Sequence, residues 1–252
     1  MAAVPTPRRV DPSAFLERLL SRPGALRSCA HEIHDLKGGT VAAVEILTRF
    51  TDEAGQTQAV GEVLRDLDCP IALRSRLDLA CVDKAFGAIG RHSGRWDIAF
   101  INLEPSTLQE GEFWERLPVW MRTPGLNGTK VVVELTEGCS SLDLDELHGC
   151  ARRLRENGVR VAVDDLGSGV ASLTHMARLA PDFIKADQSL VRMAHRRPYQ
   201  AALLNALAHF ARRMCVGFIA EGIETPEELQ AVLDADVPWA QGFVYGEPEL
   251  LG

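Results

Sequence analysis

The chain has 252 residues, of which 46% are hydrophobic and 25% charged, and a formal net charge of −8. Its hydrophobic share supports a full core and excludes general disorder, while its length fits one (β/α)8 barrel of about 250 residues better than two small domains. The acidic balance argues against a nucleic-acid groove, which needs clustered Lys and Arg; a small phosphate substrate stays compatible if bound cations screen the carboxylates around it.

Residues 1–25 read as a polar leader with a short amphipathic turn around Phe15, Leu19 and Leu20, broken by Pro23 and Gly24. The barrel proper is expected over 26–252. Thr40 to Phe50 reads as a strand running through Glu45, and apolar residues at helical spacing from Ile71 to Ile89 predict a long outer helix. A strand over Asp97–Leu103 follows, then a helix over Thr107–Met121 with a break at Pro118, and a turn at Pro124, Gly125, Asn127 and Gly128. Strand Lys130–Leu135 comes next.

Asp143 is placed to cap a helix that stops at Asn157 and Gly158 before strand Arg160–Asp164. Further helices fit Ser172–Leu179, Tyr199–Arg213 and Pro226–Ala235, the last opened by a capping box of Thr225 and Glu228 with Pro226 at the first helical position. Strands fit Phe183–Ala186, Gly217–Ala220 and Gly242–Tyr245. Such alternation implies a mainly parallel sheet, and its repetition along the chain favours a closed α/β barrel of the TIM type.

The six cysteines, Cys29, Cys69, Cys81, Cys139, Cys150 and Cys215, form no CxxC pair, so buried free thiols and a reducing compartment are expected. No signal-peptide core follows Arg8 and Arg9, and no apolar run reaches the length of a membrane span. The expectation is a cytoplasmic protein with no membrane partner.

The apolar runs end on polar groups. Asn102, Glu134, Asp164 with Asp165, Asp187 and Glu221 each follow or close a β-branched or aromatic stretch, which is where a barrel strand presents its functional side chain. The Asp164–Asp165 pair reads either as a solvated turn, given Gly167 and Gly169 nearby, or as two carboxylates sharing divalent ions. Glu134 reads as a salt-bridge partner or as a metal ligand. The donors are hard oxygens without His or Cys, which favours Mg²⁺ or Mn²⁺ over Zn²⁺. Strand alternation turns Lys185 and Asp187 to one side; Lys185 is either the cation of a structural ion pair or a group that orients a hydroxide or neutralises phosphate. Of Glu221 and Glu224, one is a candidate general base and the other a brace. The histidines show no metal spacing and read mostly as surface or packing residues.

The segments VEILTRF, INLEP, VVVELTE, VAVDDLGSGVASL, PDFIKAD, IAEGIET and AQGFVYGEP occur in the order and at the spacing of the EAL-domain cyclic di-GMP phosphodiesterases, and the chain resembles that family from about residue 26 to its end. The resemblance implies a barrel of the EAL type in which Glu45, Asn102, Glu134 and Asp164 hold one divalent cation, and Asp164, Asp165 and the Glu221 region hold a second. It implies hydrolysis of cyclic di-GMP to linear pGpG by a water between the ions, with Lys185 hydrogen-bonded to that water and Glu221 acting as general base or aligning it. By the same resemblance Arg49 binds phosphate, Asp187 and Gln241 contact substrate, and Glu137, Glu224 and Ser168 support loops. A homodimer is a further implication; no residue points to a regulatory protein partner. The sequence departs from the family at EIL in place of EAL, at His31 and Glu32 where glutamine and proline are usual, and at Leu166 and Val170 in a loop that usually carries aromatics. Three readings follow: an active phosphodiesterase, a weak or inactive module of the same fold that binds the dinucleotide or a partner, and a barrel acting on another small phosphate ester.

Overall fold

The computed structural model describes residues 12–22, 24–51, 57–60, 70–126, 128–136, 143–167, 176 and 178–252. In chain order these give α1 (Pro12–Ser21), β1 (Leu26–Asp35), β2 (Thr40–Thr51), β3 (Thr57–Ala59), α2 (Ile71–Arg91), β4 (Ile98–Leu103), a 3₁₀ turn (Pro105–Gln109) and α3 (Gly111–Trp120). Then follow β5 (Lys130–Thr136), α4 (Leu144–Glu156), β6 (Arg160–Leu166), β7 (Phe183–Ala186), α5 (Gln188–Val191), a second 3₁₀ turn (Ala194–Arg196), α6 (Pro198–Met214), β8 (Gly217–Ala220), α7 (Pro226–Asp234), β9 (Trp239–Ala240) and β10 (Glu249–Leu250).

The sheet closes because β1 pairs with β2 on one side and with β9 on the other. From β2 through β4, β5, β6, β7, β8 and β9 every neighbour is parallel. The eighth barrel strand, β1, is antiparallel to both its neighbours, whereas the sequence reading assigns no strand before Thr40. The reason is a hairpin: β1 and β2 are joined by a four-residue turn in which Gly39 donates to the Asp35 carbonyl and Lys37 to its carboxylate. Gly39 sits at φ +63°, open to glycine at little cost.

Three other expectations need correction. Residues 242–245 form turns, with Tyr245 N–H donating to the Gly242 carbonyl, and the last barrel strand is the shorter Trp239–Ala240. The Thr107–Met121 helix divides at Glu110 rather than Pro118, since Pro118 lies inside α3 without ending it. The amphipathic turn near Phe15 is a ten-residue helix whose Leu16 and Leu19 are buried against Leu73 and Leu77 of α2 and Phe50 of β2. Both expected helix caps are present, each as a capping box: Asp143 accepts from Asp145 and Glu146 N–H, and Thr225 from Glu228 N–H. The helix expected at Ser172–Leu179 lies largely outside the described residues.

Outward-facing strand residues such as Val131, Val133, Val161 and Ile101 pack under the helices. Inward-facing ones form a separate plug inside the barrel: Ile33, Ala43, Phe100, Val132, Ala162, Phe183 and Ile219, with Trp239 against them. This plug positions the site.

Candidate active site

Side chains alternate along a strand, so the residue two places beyond each plug residue faces the same interior, one layer nearer the mouth. Ala43 thus leads to Glu45, Phe100 to Asn102, Val132 to Glu134, Ala162 to Asp164, Phe183 to Lys185, Ile219 to Glu221 and Trp239 to Gln241. On the antiparallel β1 the count runs backwards, from Ile33 to His31. Eight strands therefore present one ring of eight polar groups above an apolar floor.

Lys185 is the centre of that ring, with only 1% of its side chain exposed. Its Nζ lies 2.6 Å from Glu134 Oε1 and 2.6 Å from Glu221 Oε1, 3.5 Å from Glu45 Oε2 and 3.6 Å from Asp164 Oδ1. Burial disfavours its ammonium, yet Asp164, Glu134, Glu221 and Glu45 together outweigh that cost and raise its pKa, favouring the charged form.

Four carboxylates around one ammonium leave a surplus of negative charge in a low-dielectric place. The surplus falls unevenly. Glu45 is buried, which by itself would raise its pKa, but Lys185 and hydrogen bonds from Gln241 and Asn102 hold it at about 2. Asn102 Nδ2 donates to Oε1 at 2.8 Å and Gln241 Nε2 to Oε2 at 2.9 Å. Glu134 is raised well above the usual range by burial, with Glu45, Asp164 and Glu221 adding repulsion that Lys185 only partly offsets. It is fully buried, and apart from the close ammonium neither oxygen receives a well-directed hydrogen bond among the described residues. Glu221 is likewise raised by burial, and by Asp164 and Glu45 against Lys185.

Asp164 and Asp165 would point to opposite faces in a regular strand. Asp165 instead sits at φ +59°, and the β6–β7 register shifts between Val163 and Leu166, a bulge that re-aims the side chain. Carboxylate oxygens of Asp164, Asp165 and Glu221 consequently come within 4.8 Å of one another. Hard oxygens at that spacing, together with the under-donated oxygens of Glu134, fit a hard divalent cation.

The other sequence-derived candidates lie at the rim or in the ring. Arg49 is on the same face of β2 as Glu45, four residues nearer the mouth, and donates to the Thr48 carbonyl at 3.4 Å. The Asp187 carboxylate caps α5 by accepting from Ser189 N–H at 2.8 Å. Glu224 pairs with Arg192 at 3.7 Å. Gln241, in the ring itself, is buried beside Glu45. Glu137 and Ser168 lie outside the described residues. Sequence reasoning named His31 only as a departure from the usual glutamine and left it out of the site, yet it is opposite Glu45 in register; burial lowers its pKa against the pull of Glu45. The available signal was the alternation of β1 through Ile33 together with the Gly38–Gly39 turn. A pocket of about 200 Å³ opens beside it, between Glu32, Tyr245 and Glu247.

The fold and site define a TIM-like barrel with an acidic, lysine-centred mouth at the C-terminal ends of its parallel strands. A family model described as EAL domain matches residues 16–248, and the chain belongs to that family. Among curated relatives it is 26% identical to the probable cyclic di-GMP phosphodiesterase PdeG of Escherichia coli, covering 96% of this chain and 48% of PdeG. It is 30% identical to the cyclic di-GMP phosphodiesterase PdeR of Escherichia coli over 59% of this chain and 22% of PdeR. The chain spans about half or less of the length of these relatives. Among solved structures, Klebsiella pneumoniae BlrP1 in a manganese and cyclic di-GMP complex at pH 6 matches with TM-score 0.80 and 26% identity, over 92% of this chain and 58% of that one. The FimX EAL domain of Pseudomonas aeruginosa bound to cyclic di-GMP shares the fold at TM-score 0.83 and 19% identity, over 95% and 97%.

Proposed function

We propose that the chain is the hydrolytic barrel of a metal-dependent cyclic di-GMP phosphodiesterase that gives linear pGpG. The observation that carries this reading is the complete ring around Lys185, with Glu45, Asn102, Glu134, Asp164, Asp165 and Glu221 all turned into one mouth. The names of the curated relatives and the manganese and cyclic di-GMP complex of BlrP1 support the substrate and the need for a divalent ion.

In this reading Glu45, Asn102, Glu134 and Asp164 would hold one Mg²⁺ or Mn²⁺, and Asp164, Asp165 and Glu221 the second. Bound there, such ions acidify water and neutralise a phosphodiester. The chain supplies the rest. Lys185, as the ammonium, orients the attacking water and balances charge on the phosphoryl oxygens. Glu221, whose side chain is 17% exposed toward the mouth, accepts the proton of that water. The water oxygen bonds to phosphorus, the P–O3′ bond breaks, and the freed 3′ oxygen takes a proton, leaving a 5′ phosphate on the linear product. Arg49 at the rim contacts the second phosphate, and Asp187 lies within reach of substrate entering over β7. Pairing of two copies and a cytoplasmic location complete the proposal; no described helix is long and apolar enough to cross a membrane.

Purified protein with Mg²⁺ or Mn²⁺ is expected to convert cyclic di-GMP to pGpG by chromatography, and Glu45→Ala or Asp164→Ala to abolish turnover. Tight binding of intact dinucleotide with no product over hours favours the receptor reading. A strictly monomeric mass by light scattering at high concentration sinks the pairing.

A further inference from the structure

We infer that Gln241 is a positioning residue that keeps Glu45 available to a cation by holding it off Lys185, rather than a substrate contact. The inference rests on the metal-dependent reading above. Gln241 is 2% exposed, and its Nε2 donates to Glu45 Oε2 at 2.9 Å. That same oxygen is 3.5 Å from Lys185 Nζ, outside strong hydrogen-bonding range but close enough to collapse onto it. Asn102 restrains only the other oxygen. With the Gln241 donor removed, the ammonium is the donor left beside Glu45 Oε2 among the described residues, and a tighter ion pair there competes directly with any ion in the mouth.

The Gln241 amide presents its N–H to Glu45 Oε2, because the flipped form would face oxygen with oxygen. A carboxylate has about four lone-pair sites, and the two side-chain donors use one on each oxygen. The others stay open to a cation.

The backbone of Gln241 reaches the second acid. Its N–H donates to the Ala220 carbonyl at 2.8 Å, and its own carbonyl accepts from Ile223 N–H at 3.2 Å. Glu221 lies between these two anchors. Gly242 keeps the contact close, since a Cβ there would meet the Ile223 backbone at 2.2 Å. Gln241 therefore ties the Glu45 carboxylate on β2 to the turn that carries Glu221, and outer partners of this kind are typically worth 10- to 100-fold in metal affinity.

The test is Mn²⁺ binding by calorimetry to the full chain without any dinucleotide, for wild type, Gln241→Met and Gln241→Leu, with circular dichroism melts to establish folding. Both remove the donor without adding charge, Met keeping the length of the side chain and Leu most of its bulk. The expected result is at least a tenfold loss of Mn²⁺ affinity in whichever variant is folded, with kcat for cyclic di-GMP reduced at subsaturating Mn²⁺ and largely restored at saturating Mn²⁺. Mn²⁺ affinity within twofold of wild type, with KM alone raised, overturns the inference and makes Gln241 a substrate contact. Unfolding of both variants overturns it too, by assigning the residue a purely structural role. Wild type that binds no Mn²⁺ defeats the metal-dependent reading itself, a separate failure.

Discussion

Lys185 shows how far one residue can be read. Its type and its place in an apolar run indicate an anionic neighbour, but four carboxylates within 3.6 Å come from four different strands, and no local pattern connects them. Removing the ammonium leaves those acids to repel one another in a buried place. Lys185→Met is expected to destabilise the metal-free protein at neutral pH by about 3 kcal/mol or more in chemical denaturation, and to eliminate turnover even when Mn²⁺ restores stability. A variant as stable as wild type would mean that the acids are already neutral. His31 makes the complementary point: as a lone histidine it reads as packing, and only the reversed direction of β1 turns it into the ring beside Glu45.

At the scale of elements, the helices were legible because their ends are written locally. Thr225, Pro226 and Glu228 specify the start of α7 with no help from the rest of the chain, and Thr225→Ala is expected to cost about 1 kcal/mol in a denaturant melt. The break at Glu110 and the short β9 were less legible, because tertiary pairing rather than propensity sets where those elements end. Asp78 on α2 ties a helix to a strand end: its carboxylate accepts from Glu104 N–H at 3.1 Å, just past β4. Burial raises its pKa to about 7, against hydrogen bonds from Thr107 and Glu104. Its folded pKa therefore exceeds the ordinary 3.8, so the unfolded chain releases this proton first. The stability Asp78 contributes is complete below about pH 4 and is lost as pH rises through about 7. Asp78→Asn, which keeps an acceptor for Glu104, is expected to flatten that part of the stability–pH curve between pH 4 and 8 in urea titrations. An unchanged slope would assign the dependence to other groups.

For the whole molecule, the negative surplus in the mouth links ligand binding to stability. A cation that binds the folded ring and not the unfolded chain stabilises by about 2.7 kcal/mol at a concentration 100 times its dissociation constant. Millimolar Mn²⁺ is expected to raise the melting temperature of wild type by several degrees and that of Asp164→Asn by much less, as scanning calorimetry can measure. Equal shifts in both would place the ion elsewhere. The cysteines belong at this scale as well: Cys29 is buried, Cys81 and Cys150 are half-buried and Cys215, the C-cap of α6, is exposed, against the expectation of buried thiols. Cys69 and Cys139 lie outside the described residues.

By itself the sequence determined the alternation of strands and helices, the polar ends of the strands and the ligand types, because these depend on period, capping and residue chemistry within a few positions. Family membership was legible in the same way, from seven short segments in order. Only the tertiary structure decided that β1 runs backwards to close the barrel, that a bulge at Asp165 brings adjacent carboxylates to one side, and that Gln241 stands against Glu45. Each of those depends on strand direction, register or contact between residues far apart in the chain, and a period of two along one strand carries no information about the strand beside it.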